Sequence, residues 1–305
     1  MFTARLTRAV AAVGAAAALA LALSSCGSSN PLAEPSGSTT DGSSDAVVIG
    51  SQAYYSNQII AEIYAQALEK KGVEVTRQFN IGQRDAYMPQ VESGAIDVFP
   101  EYTGNLLEYF DPKATATSPD DVYAALTKAL PDGLVALDYA QATDQDTYTV
   151  TKAYAQEHGL ESIADLAKVQ GTVTVGAAPE FEQRPYGPAA AKEAYGVTLG
   201  FSATGPTTLE ALLAGTVQVA DIYSADPAFQ TEQIVALKDP KNMILSSNIV
   251  PIVSAKAESK VADTLNAVSA KLTTEELSRL NVQSTKDKKE AADIAKAWIA
   301  EKGLS

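Results

Sequence analysis

Two tyrosines and one arginine are the residues of this chain best suited to holding a small charged molecule. In Gly94-AIDVFPE-Tyr102 a turn glycine precedes by eight residues a tyrosine that ends a short apolar strand, and Gly215-TVQVADI-Tyr223 repeats the pattern. A tyrosine face is electron-rich and attracts cations, by about 2 kcal/mol or more once the contact is desolvated. Arg184 has the complementary chemistry, a planar fork of donors that matches a carboxylate. The repeat implies two similar lobes, each offering one ring from the C-terminal end of a strand. In open α/β sheets that end is where ligands sit.

Other chemistries find little support. The single histidine, His158, lies in Gln156-Glu157-His158-Gly159, which reads as a helix C-terminus where an imidazole meets the helix dipole. Cys26 is the only cysteine, so neither a zinc site nor a Cys–His pair can be assembled. No phosphate-cradling glycine loop of the GxGxxG or GxxxxGK[ST] kind occurs. Asp120-Asp121 follow Pro119 and read as first-turn helix acids, not a calcium loop. No catalytic residue, metal or cofactor is expected, and a hydrolase working with carboxylates alone is the remaining enzymatic alternative. Acidic residues number 37 against 23 basic ones, for a net charge of −14. That balance argues against nucleic acid as a partner.

The first forty-five residues carry an address. Arg5 and Arg8 precede an apolar run from Ala9 to Leu23, and Leu23-Ser24-Ser25-Cys26 follows. A basic start, a short apolar stretch and small residues at the end describe a secretory leader over 1–25. The placement of Cys26 resembles the lipobox of bacterial lipoproteins, which implies acylation of its thiol. Residues 27–45 are rich in Gly, Ser, Thr, Pro and Asp and read as a flexible tether. The expected product is exported and anchored by lipid to the outer face of the bacterial cytoplasmic membrane.

From Ala46 onward, strands alternate with helices. Val47–Ile49 reads as a buried strand, and Ser56 or Asn57 as the cap of a helix reaching Lys71, with Ile59, Ile60, Ile63, Ala67 and Leu68 on one side. A strand is expected at 73–76 and helices at 88–93 and 119–130, with strands at 148–151, 173–176 and 197–201. Helices at 188–195 and 208–214 lead into the second glycine–tyrosine unit. Residues 249–253 return the chain to the first lobe, and helices at 256–271, 274–280 and 289–302 complete it, with Trp298 as a core anchor. This alternation predicts an α/β protein of mostly parallel sheets flanked by helices.

Five segments carry a family resemblance: VVIGS at 47–51, IIAEIYAQALEKKG at 59–72, DVFPEYTG at 97–104, APEFEQRPYG at 178–187 and LKDPKN at 237–242. Residues 47–305 resemble the substrate-binding lipoproteins of osmoprotectant ABC transporters, which bind glycine betaine, choline or carnitine. The resemblance implies the two-lobed type 2 periplasmic-binding-protein fold with two crossover strands. Lobe I would comprise 46–143 plus 248–305, and lobe II 144–247, closing about crossovers near 143 and 247. It also implies a monomer that delivers an osmolyte to an ABC permease. A receptor for another polar or zwitterionic solute, or a sensor lipoprotein presenting the same cleft, is the alternative.

A quaternary ammonium has no N–H donors, so ring faces are its natural partners. Tyr102 and Tyr223 are expected there, and the resemblance puts Arg184 at the carboxylate end. Glu180 could orient Arg184 or face the cation. The departures matter too. Where family members carry another tyrosine this chain has Asp146, with Tyr148 two residues on, within reach by strand period two. Ser246-Ser247-Asn248 stands where a further ring is expected. Asn105 replaces a common hydroxyl, and Gln52 stands where a lysine can occur. Tyr54 and Tyr55, beside Gln52, are candidate replacement rings. Asp144 and Asp146 could complement a cation or be solvated loop acids. The site reads as more polar than a cage of four rings.

Overall fold

A computed structural model describes residues 45–304; the leader, Cys26 and the tether as far as Ser44 lie outside the described residues. The apolar run Val47–Gly50 forms β1, followed by α1 (Tyr55–Lys70), β2 (Val75–Gln78), α2 (Arg84–Glu92), β3 (Val98–Tyr102), α3 (Thr103–Phe110), α4 (Pro119–Ala129) and β4 (Leu134–Ala136). The chain then crosses to a second set, β5 (Tyr148–Thr151), α5 (Lys152–His158), β6 (Val173–Ala177), α6 (Pro188–Tyr195), β7 (Leu199–Ala203), α7 (Thr208–Leu213), β8 (Val219–Asp221), α8 (Ala228–Thr231) and β9 (Ile234–Ala236). It returns through β10 (Ile249–Ser254) and ends in α9 (Glu258–Ser269), α10 (Thr274–Thr285) and α11 (Ala291–Lys302).

Two five-stranded sheets result, in the orders β2-β1-β3-β10-β4 and β7-β6-β8-β5-β9. The orders are equivalent, slot for slot. In each sheet four strands run one way and a single strand opposes them, β10 in the first and β5 in the second. Each opposing strand is the one entered directly from the other lobe, so the crossovers account for all the antiparallel pairing. Gly94 and Gly215 have φ of +68° and +71°, a left-handed turn that glycine adopts without steric cost. The sequence repeat therefore corresponds to the repeated β3 and β8 slots.

The crossing segments pair with each other. Thr143 and Asn248 form an antiparallel bridge, flanked by Ile249 N donating to Ala142 O at 2.9 Å and Asp144 N to Ser247 O at 3.2 Å. Asn248, buried, donates its side-chain amide to Ala140 O and accepts from Ser246 Oγ. The first lobe's core is wrapped around α1, whose Ile59, Ile60, Ile63 and Leu68 are sealed between the sheet and α9–α11. Burying each such side chain contributes about 1.5–3 kcal/mol. Trp298 belongs to this core, its indole N–H donated to Glu276.

Local signals fail where tertiary partners compete. Ser56 and Asn57 do not cap α1; the helix starts at Tyr55 and both lie buried in its first turn. Asn57 instead accepts from Gln52 N and donates to Pro100 O, tying the loop after β1 to the end of β3. β2 begins later than expected, because Gly72 N and Val73 N still bond back to the last turn of α1. β8 stops at Asp221, two residues short of Tyr223.

Gly104, in the first turn of α3, packs against the second crossing: a Cβ there would lie 2.6 Å from Ser246 O and 2.8 Å from Leu245 Cγ. Gly104→Ala is expected to destabilise the protein by about 1–3 kcal/mol through overpacking. A melting temperature equal to wild type would show that this contact yields freely.

Candidate ligand-binding cleft

Both glycine–tyrosine units end at one cleft between the sheets. It has two adjoining compartments, of about 360 and 90 Å³. Asn105, Asp144 and Tyr223 line both. The larger adds Gln52, Tyr54, Arg84 and Tyr102; the smaller adds Glu108, Gln145, Asp146, Arg184 and Tyr186. The crossing segments supply the polar groups between them, with Ser247 donating its hydroxyl to Asn105 Oδ1 at 2.7 Å and its N–H to Gln145 Oε1 at 2.9 Å.

The two tyrosines are not equivalent. Tyr102 is the last residue of β3, only 6% exposed, and its hydroxyl makes no hydrogen bond of ordinary geometry. Tyr223 follows β8 on a loop and is 55% exposed. That loop leans on the first lobe: Asn281 of α10 donates to Ala225 O and Ser278 to Asp226 O, both at 2.9 Å. The Ser224 hydroxyl meets that of Thr143 at 2.9 Å. Ala225 is accordingly part of the first lobe's core.

Tyr54 stands at the entrance to α1, its ring edge-on to Tyr55 at 4.8 Å. The loop carrying it is pinned by Ala53 N to Gly82 O and by Asn80 N to Ser51 Oγ, each 3.0 Å. Tyr54 donates its hydroxyl to Asp144 Oδ2 at 3.0 Å. Burial and the Asp144 charge push the Tyr54 phenol well above its ordinary value, so it stays a donor. The Asp144 carboxyl is itself pushed up to about 6, by burial first, with the Tyr54 bond opposing. Its Oδ1 makes no hydrogen bond of ordinary geometry, although the nearby Ala225 N–H favours its charged form. A carboxylate held among ring faces, with no ion pair among the described residues, suits an organic cation.

Arg184 ends a 3₁₀ turn over Pro179–Gln183 whose anchor is the buried Phe181. Tyr148 lies beneath it, fully buried, its ring 5.8 Å from Phe181 and its hydroxyl donated to Tyr186 O at 2.8 Å. The expectation that Tyr148 reaches the ligand fails, because the β5 ladder begins only at Tyr148 and strand alternation does not extend back to Asp146. Glu180 is exposed, lines neither compartment and makes no ion pair with Arg184. Arg184 has no ion pair among the described residues.

Asp146 lines the smaller compartment and accepts the Tyr186 hydroxyl at 2.9 Å. Behind it, burial and then the Asp146 charge drive the Asp221 carboxyl upward. Tyr186, Glu108 and Gln145 were not anticipated. Tyr186 sits two residues after Arg184 in the same motif, and Glu108 follows Asn105 by three on α3, a same-face spacing that was available as a signal. Arg84 does not add a free positive charge, since both arms of its fork bind the buried Glu101 at 3.0 and 2.9 Å.

Comparison with known proteins bears on this cleft. Residues 45–301 match the family model described as the substrate binding domain of ABC-type glycine betaine transport systems. The glycine betaine-binding protein YehZ of Escherichia coli is 27% identical over 277 residues, 84% of this chain and 90% of that one. Its apo structure superposes with a TM-score of 0.75, at 25% identity over 85% of this chain and 99% of that one. The carnitine transport binding protein OpuCC of Listeria monocytogenes is 25% identical over 269 residues, 84% of this chain and 87% of that one. The fold is that of the type 2 periplasmic-binding proteins, two sheets joined by two crossovers. By its sequence match and its architecture, this chain belongs to the family of substrate-binding domains of ABC-type glycine betaine transport systems.

Proposed function

We propose that the protein captures a small quaternary ammonium osmolyte of the glycine betaine, choline or carnitine kind and delivers it to the permease of an ABC importer. The observation that carries the ligand class is Asp144 standing among Tyr54, Tyr102 and Tyr223 with no ion pair among the described residues. Such rings hold a trimethylammonium group that ordinary donors and acceptors cannot grip. Tyr102, Tyr223, Tyr54, Asp144 and Gln52 surround the cation in this reading, and Asn105, Asp146 and Arg184 face the rest of the ligand. The protein acts as a receptor and does not turn its ligand over.

Substrate-binding proteins of ABC importers work outside the cytoplasmic membrane, and among the described residues no helix is long and apolar enough to cross one. Anchoring through an acylated Cys26 and the tether is the means proposed here to keep a monomer near its permease. Lobe I is assigned to 46–143 plus 248–305 and lobe II to 144–247, with ligand favouring the closed arrangement by touching both.

Four measurements test this reading. In calorimetric titration of glycine betaine, choline and carnitine, the best ligand should bind Tyr102→Ala/Tyr223→Ala at least about a hundredfold more weakly, two cation–π contacts being lost. An unchanged affinity would rule out the ring faces. Affinity for a cation should also fall as pH drops through about 6, where Asp144 takes up its proton. The sign for stability is opposite: the raised carboxyl binds a proton in the folded state that the unfolded chain has released. Its contribution to stability is therefore present at low pH and lost as pH rises through about 6. Asp144→Asn should flatten both slopes. Finally, Cys26→Ser should move the exported protein from the membrane fraction to the soluble one.

A further inference from the structure

Charge at the cleft is unevenly divided. Glu108, Asp144 and Asp146 line it as acids. Two guanidiniums line it, but Arg84 is committed to Glu101 through two hydrogen bonds. Gln52 and Asn105 are neutral and bring no positive charge. Arg184 is the one guanidinium left to meet a ligand carboxylate, and it does so in a compartment shared with Glu108 and Asp146. A carboxylate brought to Arg184 would thus enter the field of two other carboxylates, and like charges at close range oppose binding. A separate observation points the same way. Asp144 accepts the Tyr54 hydroxyl through Oδ2 and leaves Oδ1 without a hydrogen bond of ordinary geometry at the cleft. Asp146 offers a further acceptor, and a ligand that donates satisfies these groups where a carboxylate does not.

Resting on the quaternary ammonium reading, we infer that the cleft selects a net-cationic ammonium alcohol over a zwitterion carrying a carboxylate, with Asp146 and Glu108 as the residues that set this preference. The positive end sits at Asp144 and the rings, and the hydroxyl donates toward Asp146. Arg184 then serves to balance Glu108 and Asp146, whose charges it offsets without ion-pairing either. The discrimination is a property of the lining charges more than of shape, since choline and glycine betaine have the same trimethylammonium head and similar length.

The test is calorimetric titration of the purified protein with choline and with glycine betaine at neutral pH and low salt, for wild type, Asp146→Asn and Glu108→Gln. Wild type should bind choline at least about tenfold more tightly than glycine betaine, one close like-charge contact being worth that much. Each variant should narrow the gap, chiefly by improving glycine betaine. Glu108 is exposed and makes no side-chain hydrogen bond, so its variant keeps the test valid if Asp146→Asn lowers the melting temperature. Glycine betaine binding as tightly as choline to wild type would overturn the inference while leaving the osmolyte reading intact. A choline preference unchanged in both variants would overturn the assignment to these carboxylates. If neither compound binds, this inference falls, and if carnitine also fails to bind, the quaternary ammonium reading falls with it.

Discussion

The bridge between Thr143 and Asn248 is the constraint on which the cleft depends. It is the place where the two passes of the chain between sheets run side by side. From it, Asp144 and Gln145 extend on one segment and Ser247 on the other, so three cleft groups are set by the same few hydrogen bonds. Asn248 is committed on both sides of its amide and cannot be replaced by a ring without orphaning Ala140 O and Ser246 Oγ. The Ser246-Ser247-Asn248 segment, which departs from the aromatic expectation, thus has a positive role: it trades a cage wall for a polar seam that fixes register.

The chain's duplicated architecture is legible in its residues because the signals are local. Val173–Gly176 repeats Val47–Gly50, and each glycine–tyrosine unit opens on a left-handed glycine that a turn requires. α6 runs from Pro188 to Tyr195 and stops at Gly196, as proline at the start and glycine past the end dictate. Trp298 could be placed in the core from the apolar spacing of its helix. Asp120 and Asp121 fall in the first turn of α4 behind the Ser118 cap. Each of these rests on neighbours within one turn.

The site was legible only in part, for the converse reason. Arg184, Tyr102, Tyr223, Asn105, Gln52, Tyr54 and Asp146 all come to the cleft, but Tyr148 and Glu180 do not line it. Whether Tyr148 faces ligand or core depends on where the β5 ladder starts, which is decided by its partners on β8 and β9. Asn57 has the right residue type and position for a helix cap, yet its amide is worth more bridging Gln52 and Pro100. Tyr186 is invisible as a ligand group until the fold brings Asp146 beside it.

The repeat also conceals an asymmetry with mechanical meaning. Tyr102 is clamped by β10 along its whole strand, while Tyr223 belongs to a loop whose next residues are fastened to α10 by Asn281 and Ser278. That fastening is a further tie between the lobes, besides the two crossovers. A rotation of one lobe on the other must either break the Ala225 and Asp226 hydrogen bonds or flex the short span from Asp221 to Ser224. In the second case Tyr223 travels with the first lobe, although its strand lies in the other. The ring then works less like a jaw than like a fixed post against which the rest of the second lobe swings.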